Sequence, residues 1–208
     1  MNNMLILLLT ILAVLTLSWI FQGLRLHQSC KGDIYSTLYG GFIRYFYRYV
    51  ILRDCSESGF LRALLGTHRI VFSTVNTEEK QRVRFCIIFC NKGIIVLCYD
   101  KMRGVFQGKA SDKNWKVVRT DGDGKQHTYR YHNPIREFKG YLSRLAAFFP
   151  DSHIEARLAL PDGCDFSQLS SDVKVIHFGE LESELTGVHA VHVSDEDIQA
   201  MYSKLIGK

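Results

Sequence analysis

No CxxC pair occurs among Cys30, Cys55, Cys86, Cys90, Cys98 and Cys164, and no cysteine–histidine spacing matches a zinc module. The common zinc folds are excluded on that ground. A Walker loop, a glycine-rich dinucleotide fingerprint and a Ser–His–Asp signature are also missing, so no motif points to nucleotide-driven chemistry or serine hydrolysis. Asp121-Gly122-Asp123-Gly124 opens like a calcium loop, but His132 stands at the twelfth position, where a closing glutamate is needed. That segment reads as a turn. His189-Ala190-Val191-His192 has no matching acid or cysteine nearby to complete a metal site. Internal repeats and low-complexity stretches are absent, which excludes a repeat architecture. Charge is lacking where a cleaved secretory signal would carry it: Met1-Asn2-Asn3 has no basic side chain, and Phe21-Gln22-Gly23-Leu24-Arg25 is a poor cleavage site.

What is present begins with an apolar run. Met4 to Phe21 is 18 residues without a charge. As a helix it spans about 27 Å at about 1.5 Å per residue, enough for a bilayer core. Trp19 sits near its end, where an interfacial aromatic belongs, and Arg25, Lys31, Arg44 and Arg48 follow it. The positive-inside rule places the remainder of the chain in the cytosol of a single-pass membrane protein. The expected organisation is an anchor over residues 1–24 and one domain over residues 31–206. The membrane is the first expected partner, through residues 4–21.

A hydrophobic share of 47% against 23% charged residues argues for a folded domain rather than disorder. Three of the cysteines, Cys86, Cys90 and Cys98, lie inside apolar runs and read as buried thiols, which suits a reducing compartment. The net charge of +5 and pI near 8.9 are compatible with nucleic acid, with an anionic lipid surface, or with a mildly basic surface that has no polyanion partner.

Periodicity supplies the elements. Gly32 to Val50 reads as an aromatic-rich helix weakened at Gly40-Gly41, and Tyr49 to Asp54 as a short strand. His68 to Val75 is a strand and Asn76 to Lys80 a polar turn. Arg82 to Cys90 and Ile94 to Tyr99 form a hairpin through Asn91-Lys92-Gly93. Val105 to Gly108, Trp115 to Arg119 and Gln126 to Tyr131 continue the meander. Asn133-Pro134 opens a helix striped by Ile135, Phe138, Leu142, Leu145 and Phe149 and ended by Pro150. His153 to Leu160 and Val173 to Phe178 are core strands, and Ser194 caps a last helix reaching Ile206. The order predicts an α/β (α+β) domain, a mixed central sheet flanked by helices.

The stretch from Gly93 to Gly108 holds an apolar strand, Asp100, Lys101, Gly104 and Gly108. Trp115, then Asn133-Pro134-Ile135 before a helix, and the strands Ile154 to Leu160 and Val173 to Phe178 follow in order. This ordered set resembles the nuclease-related domain, NERD, of the restriction-endonuclease-like PD-(D/E)xK superfamily, over about 150 residues. The resemblance implies a restriction-endonuclease-like fold. It also implies a site in which two carboxylates hold a divalent metal beside a lysine, the metal neutralising phosphate charge and activating water. One acid ends the first hairpin strand. The other precedes the lysine by two positions on the same face.

Here those positions carry Cys86 and Tyr99, and only Lys101 is kept. Neither thiol nor phenol suits a magnesium-type ion. Three functions compete. The first is a degenerate NERD-like module that binds nucleic acid or a protein partner without cutting and needs no cofactor, with phosphate contacts from Lys101, Arg103, Lys109 and Lys113 and, further along, Lys116 and Arg119. The same lysines also serve as guards of a sheet edge. The second is an active magnesium- or manganese-dependent nuclease with relocated groups: Lys101, Glu137 and Asp100 as catalytic residues, and Asp33, Asp100 and Glu137 as metal ligands. The third is a structural membrane protein that docks a partner. Site chemistry outranks fold analogy in choosing among them, which favours the first.

Overall fold

The computed structural model of the chain describes residues 2–77, 81–188 and 192–207. The expected turn at Asn76 to Lys80 lies partly, and the segment His189 to His192 largely, outside the described residues. Helix α1 runs unbroken over Asn2–Cys30. It is long and apolar enough to cross a membrane, and its apolar window touches no other part of the chain closely enough to be buried. It continues past the boundary expected at residue 24. Its last turns enter the domain, where Cys30 is buried and Leu26 packs beside it.

The helix expected over Gly32 to Val50 is broken into pieces. Helix α2 is one turn, Tyr35–Leu38, and α3 is Phe42–Phe46, continued by a π-helical stretch Tyr47–Leu52. Between α2 and α3, Gly40 and Gly41 take φ values of 68° and 126°, which side chains other than glycine resist. The strand expected at Tyr49 to Asp54 is therefore helical as far as Leu52. Its aromatic residues read as β-formers, but Tyr49 packs on the Tyr45 ring at 5.6 Å from the same helical ridge. Ser58 starts helix α4, Gly59–Leu65, by accepting the Leu61 N–H.

Strands β1 His68–Asn76, β2 Arg82–Cys90 and β3 Gly93–Tyr99 form an antiparallel meander. Gly93 turns the hairpin at φ 103°, where an added Cβ would lie 2.5 Å from the His153 carbonyl oxygen. Strands β4 Val105–Lys109, β5 Asn114–Thr120 and β6 Gln126–His132 form a second meander. Helix α5, Ile135–Phe148, leads to β7 Ile154–Leu160, which pairs parallel to β3. Then come β8 Asp165–Ser170, β9 Lys174–His177, α6 Leu181–Gly187 and α7 Asp195–Ile206. The single mixed sheet expected is two mixed sheets: five strands in the order β1-β2-β3-β7-β9, and four in the order β6-β5-β4-β8.

Alternation decides which face each residue serves. Cys86, Ile88, Cys90, Ile95, Leu97 and Tyr99 point to a core closed by α2, α4, α6 and the end of α1. Phe85, Ile87, Phe89, Ile94 and Val96 point to the opposite core, closed by α5, α7 and the inner face of the four-stranded sheet. Both faces of the main sheet are covered, which is why β2 and β3 read as nearly continuous apolar runs. Phe85 shows the packing: its ring stacks on Phe138 at 5.7 Å and Tyr141 at 4.4 Å, and Phe85→Ala would cost about 3–5 kcal/mol.

Candidate functional site

Asp100 is the first residue past β3. Its Oδ1 accepts the N–H groups of Lys101 at 2.6 Å and Met102 at 3.0 Å, and its Oδ2 accepts the Tyr131 hydroxyl at 3.0 Å. Arg84 on β2 stands opposite Tyr99 in register and lays its guanidinium over that ring at 4.8 Å. From there Nη1 donates to Asp33 Oδ2 at 2.6 Å, and Nη2 lies 3.8 Å from Asp100 Oδ1. Asp33, only 4% exposed, uses its other oxygen to accept the Ile34 N–H at 2.8 Å. The hydroxyls of Tyr35 and Tyr99 meet at 3.3 Å beneath the pair. Two of the sequence candidates, Asp33 and Asp100, thus converge, but on an arginine.

Burial is the largest single influence on Arg84 and works against its charge, but Asp33, Asp100 and Tyr99 together outweigh it, so the guanidinium pKa rises above its ordinary value. At the positions where the resemblance expects acids, burial pushes the Cys86 thiol and the Tyr99 phenol upward, and both stay neutral at physiological pH. Two carboxylates with a resident cation between them, flanked by a neutral thiol and phenol, are a donor set that does not fit a hard divalent ion. Among the described residues no three His, Cys, Asp or Glu side chains gather in a metal-holding group.

Glu137 lies elsewhere. It sits in the first turn of α5, on the face of the main sheet away from Asp33, beside His132 at the end of β6. Glu137 Oε2 and His132 Nε2 approach to 3.0 Å without a hydrogen-bonding angle. Neither His132 nitrogen, nor that carboxylate oxygen, hydrogen bonds to any described residue. An open cavity of about 560 Å³ adjoins them, walled in part by Ser111, Asp112, Arg136 and Lys139. The candidate ligand set Asp33, Asp100 and Glu137 is therefore split between two faces of a sheet.

Lys101 is exposed in the loop after β3, together with Arg103. The basic cluster that the sequence shows as one run is divided by the fold. Arg119 approaches Gly104 closely enough that a Cβ there would lie 3.0 Å from its Cγ, so it joins the Lys101–Arg103 end. Lys109 and Lys113 lie at the opposite end of β4. Lys116 is on the outer face of the four-stranded sheet, since its neighbours Trp115 and Val117 are buried inward. Register puts Arg130 directly across from Lys116, and Lys109 shares their face. Among the described residues no carboxylate pairs with Lys109, Lys116 or Arg130.

Arg84 and Arg130 belong to no motif in the sequence, and His132 enters there only as the residue that breaks the calcium-loop pattern. The available signal for Arg84 was its place inside the run Arg82-Val83-Arg84-Phe85-Cys86: an arginine on the face of a buried strand needs a partner. No family model matches the chain, and neither a curated protein nor a solved structure matches it.

Proposed function

We propose that this chain is a single-pass membrane protein whose cytosolic part is a NERD-like, restriction-endonuclease-like domain that has lost nuclease chemistry and binds nucleic acid. The observation that carries this reading is Arg84. Its guanidinium lies between Asp33 and Asp100 and supplies, from within the chain, the positive charge that an active site of this type takes from a metal. The NERD-like part is supported by the element order: a hairpin β2–β3, then α5, then β7 added parallel to β3. The membrane part is supported by α1 and by the basic residues that follow its apolar run.

The binding surface is the outer face of the four-stranded sheet, where Lys109, Lys116 and Arg130 stand on adjacent strands about 4.8 Å apart. Gln107 and Gln168 lie on the same face and offer neutral hydrogen bonds between the cations. Three phosphate contacts give a salt dependence, log K against log salt, with a slope of about −2 for a single strand and about −3 for a duplex. Titration of labelled oligonucleotides against the full chain in nanodiscs measures it. Lys116→Ala should reduce the slope magnitude by about 1. No binding at low salt would overturn this reading in favour of a protein partner. Magnesium- or manganese-dependent cleavage that Lys101→Ala abolishes would restore the active-nuclease alternative built on Asp100, Lys101 and Glu137.

A further inference from the structure

The segment after Gly41 has three faces. One buries Tyr45 in the domain. A second lies against α1: the Phe42 ring is 4.7 Å from the His27 ring, and a Cβ added at Gly23 would meet the Phe46 ring at 3.4 Å. Those two contacts are four residues apart on α1, or about 6 Å of helix, so α3 descends along α1 toward its apolar half. The groove between them, about 320 Å³, is entirely apolar and lined from α1 by Thr16, Trp19 and Ile20 and from α3 by Ile43 and Phe46. The third face starts at the rim of that groove and turns outward. Ile43 is 80% exposed, and Tyr47 and Ile51, each one turn further on, are exposed as well.

An apolar edge of this kind is out of place in water. Its neighbours decide what covers it. Trp19 and Ile20 belong to the run that reads as bilayer-spanning, and side chains seated against them lie at the same depth. We infer that residues 42–52 form a second membrane element, a short helix dipping into the leaflet that α1 leaves at Trp19, with the Ile43–Tyr47–Ile51 edge among the lipid acyl chains. Tyr49 takes the headgroup level, where an amphipathic ring is favoured, and Arg44 and Arg53, both exposed, face the phosphates. This inference depends on α1 being the anchor.

The test places a nitroxide on the full chain in phosphatidylcholine–phosphatidylglycerol vesicles, at Ile43→Cys, at Ile11→Cys in α1 and at Arg130→Cys on the far sheet. Labelled unsubstituted chain supplies the background from the native thiols. Oxygen partitions into lipid and a nickel chelate into water. The expected result is that oxygen relaxes the labels at 11 and 43 more than nickel does, and that the ratio reverses at 130. A label at 43 that follows 130 while 11 stays lipid-like overturns the second element and leaves the anchor standing. A water-like label at 11 overturns both. Spin–spin broadening at 43 that disappears on dilution with unlabelled chain overturns it too, because a second copy then covers the edge.

Discussion

Asp33 and Glu137 occupy opposite faces of the same sheet, and both are carboxylates with a basic side chain at about 3 Å or closer. Their surroundings differ in completeness. Both Asp33 oxygens are taken, one by the Ile34 N–H and one by Arg84, whose guanidinium is itself held over Tyr99. Glu137 lies beside His132 without a formed bond, and both ring nitrogens there are unpaired among the described residues. A buried charge is thus no marker of chemistry by itself. Where both oxygens are matched by groups fixed in the chain, the charge is part of the architecture. Where it is not, removing it should be cheap.

The largest expected effect is on the satisfied side. Asp33→Ala leaves the Arg84 guanidinium largely buried with only the longer 3.8 Å contact to Asp100, a loss of about 3 kcal/mol, or a Tm lower by about 6–12 °C for a domain of this size. Thermal unfolding of the full chain in detergent measures it. Pairing the substitution with Arg84→Met should recover part of the loss, and a neutral Asp33→Ala would end the contrast.

A smaller effect is expected at His68, another buried polar group with all its bonds made: its Nε2 accepts the Ser58 N–H at 2.9 Å while Nδ1 donates to the Gly66 carbonyl at 3.0 Å. Burial lowers its pKa below the ordinary value. As pH falls past about 6.5 the unfolded chain takes the proton first, so this contribution is complete above that pH and is lost below it. Protonation also removes the acceptor for Ser58, a hydrogen bond worth about 1 kcal/mol. Unfolding measured from pH 7 to pH 5 should show the decline, and His68→Gln should flatten it.

The smallest effect belongs to Glu137→Gln, below about 1 kcal/mol, since no formed bond is broken. A loss matching that of Asp33→Ala would mean that the His132 pair is closed in solution, and the two faces would then be alike.

Local signals in the sequence carried much of this architecture. The Asn91-Lys92-Gly93 hairpin, the α5 stripe closed by Pro150 and the Ser194 cap each depend on neighbours within a few residues, and each appears where expected. The elements that differ depend on distant partners. β8 is polar, Asp165-Phe166-Ser167-Gln168-Leu169-Ser170, and becomes a strand only because β4, some sixty residues earlier, offers it a free edge. Tyr49 to Asp54 has strand-like residues but continues α3 as a helix as far as Leu52, with Tyr49 packed on Tyr45 at its start. At the site, Asp33 and Asp100 are legible as candidates from the sequence, but without their partner. Arg84 is 51 residues from Asp33, and only the fold of β2 against β3 brings it between them.

Helix α1 does not end where its apolar run ends. It continues through Gln22 to Cys30, about 13 Å of further rise, and its last residue is packed inside the domain. A joint of that kind has no swivel. On the reading proposed above, in which α1 is the anchor, the domain cannot wander over a hemisphere as it would on a flexible tether; it is held at a set tilt and height, like a sign on a post. Whatever it engages must then meet it in a matching orientation, and a twist or lateral push on α1 would be delivered directly to the core that buries Cys30.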